Sequence, residues 1–135
     1  LKMGERFMGK LPKISDAEWE VMKIIWALGE ATSSEIIEEL KGKQPWKSTT
    51  VKSLISRLLN KDAISFKKLG KEYFYFPLVS EEECIKEESN SFIKKVFNGS
   101  LNEMILNFVK SDNLTKEDIN DLRSLLDEKF ISGEK

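Results

Sequence analysis

The 135-residue chain has no histidine and a single cysteine, Cys84. Those two absences close off much chemistry. One thiol cannot form an internal disulfide. Without histidine, neither a Ser-His-Asp nor a Cys-His relay can be built, nor a Cys/His zinc cage within one chain. No apolar run approaches the roughly 20 residues that span a bilayer, and the chain does not open on a secretory signal pattern. A cytoplasmic protein without membrane insertion is expected. Also missing are a glycine-rich phosphate loop, metal-ligand spacing and any carboxylate pair in apolar surroundings. The expectation is a chain that is not an enzyme, with no catalytic residue, no metal and no cofactor.

What is present is charge, unevenly placed. The formal net charge of -1 averages residues 1–80, with 14 Lys/Arg against 10 Asp/Glu, and residues 81–135, with 8 against 13. Residues 41–71 hold nine cations (Lys41, Lys43, Lys47, Lys52, Arg57, Lys61, Lys67, Lys68, Lys71) and one acid, Asp62. That local excess is the footprint of a polyanion-binding surface. Charge alone leaves a solvated lysine-rich face as the alternative. The acidic remainder would be repelled by the same polyanion.

Residues 1–13 carry two glycines and a proline without periodicity and read as a flexible lead-in. Ser15-Asp16-Ala17-Glu18 is a capping box, in which a Ser side chain accepts from the Glu amide three residues on while the Glu reaches back. It opens a helix with Trp19, Met22, Ile25, Trp26 and Leu28 as its apolar stripe, ended by Gly29. Thr32-Ser33-Ser34-Glu35 opens a shorter helix with Ile36, Ile37 and Leu40 inward and Gly42 past its end. Ser48 reads as the N-cap of a third helix, whose Val51, Leu54, Ile55, Leu58 and Leu59 fall at i, i+3, i+4, i+7 and i+8. Its other face holds Thr49, Thr50, Lys52, Ser53, Ser56, Arg57 and Lys61, with no acid. Ordinary surface helices mix signs to gain i,i+4 pairs, so this face is dressed for something negative. Ile64–Lys68 and Glu72–Phe76 are β-prone runs about a Gly-containing connection, a hairpin that Pro77 ends.

Three helices and a hairpin make the winged helix-turn-helix plan, in which the third helix enters a major groove and the hairpin lies against adjacent backbone. The fold class expected is mainly α with a small β-hairpin. A winged-helix DNA-binding domain takes residues 14–79 and a helical dimerisation domain residues 80–135. In the latter, Ser80-Glu81-Glu82-Glu83 opens a helix to about Phe97, stopped by Asn98-Gly99. A second follows with Leu101, Met104, Ile105, Phe108 and Val109 on one side. A third, from Thr115-Lys116-Glu117-Asp118, carries Ile119, Leu122, Leu125, Leu126 and Phe130. So few residues cannot bury a core alone, and the commonest partner is a second copy of the chain.

Double-stranded DNA is the expected ligand. Cations neutralise phosphates, and short polar or bidentate groups read bases. Ser48, Thr49, Thr50, Lys52 and Ser53 supply that mixture at the helix start, where backbone donors also favour a phosphate. Arg57 lies two turns on and reaches backbone or a guanine edge. Lys67, Lys68 and Lys71 lie on the wing. Trp19, Trp26 and Trp46 are more simply core residues than stacking platforms. Of Tyr73, Phe74, Tyr75 and Phe76, which alternate faces, two should seal the core.

The segment Ile14-Ser15-Asp16-Ala17-Glu18-Trp19-Glu20-Val21-Met22, the run Trp46-Lys47-Ser48-Thr49-Thr50-Val51, and Leu54-Ile55-Ser56-Arg57-Leu58 resemble the BlaI/MecI penicillinase repressors. So do Phe92-Ile93-Lys94-Lys95-Val96, Leu106-Asn107-Phe108-Val109 and Glu117-Asp118-Ile119. The resemblance covers residues 14 to about 129. It implies a homodimeric repressor on a palindromic operator near β-lactam resistance genes, held together by its C-terminal helices. Phe92, Leu101, Ile105, Phe108, Ile119, Leu122, Leu125 and Leu126 are the candidate dimerisation residues. It also implies induction through a membrane β-lactam sensor and an associated protease, with the cut between Asn107 and Phe108. Two departures stand out. Asp62 replaces the glycine common after the third helix, and the paired cysteines of the copper-responsive branch are absent. The alternatives are a repressor of an unrelated regulon with a different inducer and a winged-helix module that binds protein.

Overall fold

The structure is a computed structural model and describes residues 11–133. In chain order its elements are α1 (Asp16–Leu28), α2 (Ser33–Leu40), α3 (Ser48–Asn60), β1 (Ile64–Leu69), β2 (Glu72–Pro77), α4 (Glu81–Phe97), α5 (Leu101–Lys110) and α6 (Lys116–Gly133). The chain divides into two compact units between Glu88 and Ser89.

Local chemistry sets the helix starts. Ser15 Oγ accepts from the Glu18 amide at 3.2 Å while the Ser15 amide donates to Glu18 Oε1 at 3.0 Å. Thr32 and Glu35 repeat the box at the head of α2. The stripes of three helices then meet: Val21, Met22 and Ile25 of α1, Ile36 and Leu40 of α2, and Val51, Leu54, Ile55 and Leu58 of α3 are buried together with Ile64, Val79 and Cys84. Each such side chain contributes about 1.5–3 kcal/mol of apolar burial. Val21 takes the core place expected of Leu28, which is exposed in the last turn of α1. Trp19, Trp26 and Trp46 pack against this core, and Trp26 Nε1 donates to Val79 O at 2.9 Å.

The hairpin pairs Ile64 with Pro77 through Leu69 with Glu72, so Gly70 and Lys71 are its two-residue loop. Gly70 takes φ 64°, the left-handed first position that such a loop requires of glycine. Pro77 ends the strand as its last paired residue rather than standing outside it. A third partner was not legible in the sequence. Ala31 exchanges both backbone hydrogen bonds with Tyr75, N to O at 2.9 and 2.8 Å, which attaches the hairpin to the α1–α2 turn.

After α3, Asp62 sits at φ 61°. Its amide donates to Leu59 O and that of Ala63 to Leu58 O, both at 3.0 Å, the two bonds of a Schellman ending built on aspartate. The lead-in needs one correction. Leu11 packs partly buried on the core and Lys13 O is hydrogen-bonded, so residues 11–13 are held down, while residues 1–10 lie outside the described part.

In the second unit, Ser100 caps α5 through the Glu103 amide, and Thr115 and Asp118 form a reciprocal cap on α6. Neither helix has a buried side chain among its described residues. Leu101, Leu106, Val109, Leu122, Leu125 and Leu126 are exposed, and Phe130 is 77% exposed.

Candidate nucleic-acid interface

The helix α3 turns Val51, Leu54, Ile55 and Leu58 inward, so Ser48, Thr49, Thr50, Lys52, Ser53, Ser56 and Arg57 all lie exposed. The first turn differs from the sequence expectation. Lys47, not Ser48, is the N-cap; its backbone is extended and its carbonyl accepts from the Thr50 and Val51 amides. Ser48 is therefore the first helical residue. No side chain caps this end and no acid lies in its first turn. Open amides and the helix dipole favour an anion there. Alongside runs a groove of about 420 Å³, lined by Ala17, Trp46, Thr49, Thr50, Ser53, Leu54 and Arg57. Lys47 and Trp46 join the surface although neither was singled out as a site residue. Both precede the periodic stripe, where spacing carries no signal.

On the hairpin, Phe66, Tyr73 and Tyr75 cluster edge to face, with centroids 5.0 Å apart for Phe66 and Tyr73 and 6.3 Å for Phe66 and Tyr75. Lys68 Nζ stands 5.6 Å from the centroid of Tyr73, and Lys71 is exposed in the loop. Of Tyr73, Phe74, Tyr75 and Phe76, Tyr75 alone packs against the core, where the sequence suggests two.

Pairing thins the basic segment. Lys41 meets Glu38 at 3.4 Å, Lys43 meets Glu39 at 4.0 Å, and Lys67 meets Glu30 at 3.1 Å. Lys61 is taken fully: its Nζ donates to Glu18 Oε1 at 2.5 Å and to Lys13 O at 2.6 Å. Lys61 was expected on the open face of α3; it serves the fold instead. Burial pushes the Glu18 carboxyl up, but the Lys61 hydrogen bond and charge, with the Ser15 donors, outweigh it and hold it below the ordinary value. Among the described residues, Lys47, Lys52, Arg57, Lys68 and Lys71 make no ion pair. All five lie on α3, its cap or the outer hairpin.

Residues 14–128 match the profile of the family described as Penicillinase repressor. The chain belongs to that family. It is 40% identical over 121 residues to the Penicillinase repressor of Bacillus licheniformis, covering 90% of this chain and 94% of the relative. It is 41% identical over 120 residues to the Methicillin resistance regulatory protein MecI of Mammaliicoccus sciuri, covering 89% and 98%. The solution structure of the Bacillus licheniformis BlaI monomeric form in complex with the blaP half-operator matches at 38% identity, TM-score 0.50, over 56% of this chain and 93% of that one. The C80S mutant of MarR from E. coli, at 17% identity and TM-score 0.51 over 86% of this chain and 77% of its own, shares the fold. The penicillinase repressor family consists of DNA-binding repressors, not enzymes, and the solution structure of the DNA-binding domain of the repressor BlaI matches 56% of this chain at 38% identity and TM-score 0.50.

The family's remaining candidate residues lie on the C-terminal helices. Asn107 is exposed and Phe108 half-buried, both inside α5, so the bond between them is helical. Phe92, Leu101, Ile119, Leu122, Leu125 and Leu126 are exposed and Ile105 is half-buried. No helix among the described residues is long and apolar enough to cross a membrane.

Proposed function

We propose that this chain is a cytoplasmic homodimeric repressor of a palindromic operator controlling β-lactam resistance genes. Ser48, Thr49, Thr50, Lys52, Ser53 and Arg57 read and grip the half-site, with Lys68 and Lys71 on the flanking backbone. The observation that carries this reading is the open, acid-free start of α3 beside cations that, among the described residues, make no ion pair. A relative at 38% identity, solved in complex with a half-operator, supports it.

Two copies are held together by the apolar stripes of α4 to α6, including Phe92, Leu101, Ile105, Phe108, Ile119, Leu122, Leu125 and Leu126. Dimerisation joins two modest half-site affinities through effective concentration. A protease acting downstream of a β-lactam sensor relieves repression by cutting between Asn107 and Phe108. That bond lies in a ten-residue helix with no buried side chain, and such helices open locally at little cost. The cut severs α6 from the DNA-binding part and collapses the dimer.

Footprinting on the DNA upstream of the chain's own gene tests the reading. One protected palindrome with two half-sites on the same face of the duplex is expected. An unprotected region, or protection indifferent to Arg57→Ala, would overturn it.

A further inference from the structure

We propose that Glu30 is a positioning residue for DNA binding: by holding Lys67, it aims the wing so that Lys68 and Lys71 meet phosphates. The proposal rests on the DNA-binding reading above. It takes Lys67 out of the set of phosphate ligands in which the sequence had placed it.

The geometry begins with strand alternation. Lys67 and Lys68 are neighbours on β1, so they leave opposite faces of the hairpin. Lys68 lies over Tyr73, its cross-strand partner, on the aromatic face. Lys67, paired in register with Phe74, reaches Glu30 at 3.1 Å. Glu30 immediately precedes Ala31, whose backbone is bonded both ways to Tyr75. The α1–α2 turn thus grips the hairpin at two adjacent points, one by backbone and one by charge. Outward of these points Lys68, Leu69, Gly70, Lys71 and Glu72 are exposed, and Lys68 pairs with Tyr73 and Leu69 with Glu72 across the hairpin itself.

Ile64 and Tyr75 anchor the base of the hairpin on the core and the bridge holds it at Ala31, but beyond them a two-stranded ribbon has little stiffness of its own and can tilt. The loop lies about 10 Å beyond Lys67 at 3.3 Å per residue, so a tilt of roughly 20° carries it about 3.5 Å. That displacement breaks a lysine–phosphate hydrogen bond. The ion pair biases the ribbon against that tilt. Both side chains are about half exposed, so the pair is modest and its loss shifts a population rather than unfolding the wing.

Simple electrostatics demands the opposite sign. Removing an acid beside DNA, or freeing a lysine for phosphate, tightens binding. The full chain is therefore titrated onto a duplex of about 30 base pairs of arbitrary sequence, at salt from about 50 to 200 mM. Glu30→Gln is expected to weaken binding about threefold per bound protomer although it removes a negative charge, and Lys67→Glu about tenfold. The exchange Glu30→Lys with Lys67→Glu, which restores the pair with reversed polarity, is expected to return within about twofold of the native chain. The proposal is overturned by a Glu30→Gln chain that binds as tightly as the native one or tighter. An exchange that binds no better than Lys67→Glu alone overturns it too, as does a melting-temperature loss large enough to account for the weakening. A native chain showing no salt-dependent retention defeats the DNA-binding reading itself, before any variant is compared.

Discussion

Glu18 is 2% exposed and accepts hydrogen bonds from the Ser15 amide and the Lys61 ammonium, so its charge is balanced inside the first unit. Lys61→Met should cost about 3 kcal/mol in urea unfolding, because it strands a buried carboxylate. Glu18→Gln should cost less, since Gln still completes the cap and Lys61 can turn to solvent. The sign of the pH effect follows from the lowered folded-state value. Glu18 adds stability above its ordinary 4.5, and that share is lost as pH falls below 4.5 and through the depressed value. Melting curves of the native chain should therefore fall more steeply in that acid window than those of Glu18→Gln. Cys84, 4% exposed, has its thiol pushed up to about 11, by burial first and by the Glu83 charge second. A thiol reagent at neutral pH should label it only after denaturant is added. The sequence revealed the cap at Ser15 because its partner is three residues away. It hid Lys61 because Glu18 lies 43 residues off, and composition counted that lysine as free.

Most elements were legible because their causes are local. The stripe of α3 and the capping boxes of α1 and α2 depend on residues within one or two turns, and both appear as read. The Ala31–Tyr75 bridge was not, because one residue pair leaves no alternation to detect. The cap of α3 falls one residue earlier than the sequence suggests, because Lys47 caps by backbone geometry alone and has no capping side chain for a sequence pattern to detect. The C-terminal helices were legible as elements, while their exposed apolar stripes remain without a mate in a single copy. Under the proposed dimer, a chain truncated after Asn107 should sediment as a monomer at concentrations where the full chain is a dimer. A dimeric truncation would move the interface out of α5 and α6. Its melting temperature should stay near that of the full chain, since the core lies in residues 14–84.

For the whole molecule, the electrostatics that matter are those remaining after the fold has paired its own charges. Nine cations in residues 41–71 would suggest a grip on many phosphates; among the described residues five of them make no ion pair. With about 3–5 phosphates neutralised per protomer, log K against log salt should have a slope of about -5 to -9 for a dimer. Fluorescence anisotropy across a salt series measures it, and a slope near zero would exclude phosphate-driven binding. The internal pairing has a further consequence, for how such a protein finds its target. A bacterial chromosome offers about 10⁶ or more wrong sites, all with the same backbone. Every lysine that Glu18, Glu30, Glu38 and Glu39 keep occupied weakens the hold on those sites equally, whatever their sequence. Under the proposed binding mode, less of the population is then sequestered on arbitrary DNA, and base reading by α3 decides a larger share of where the protein rests.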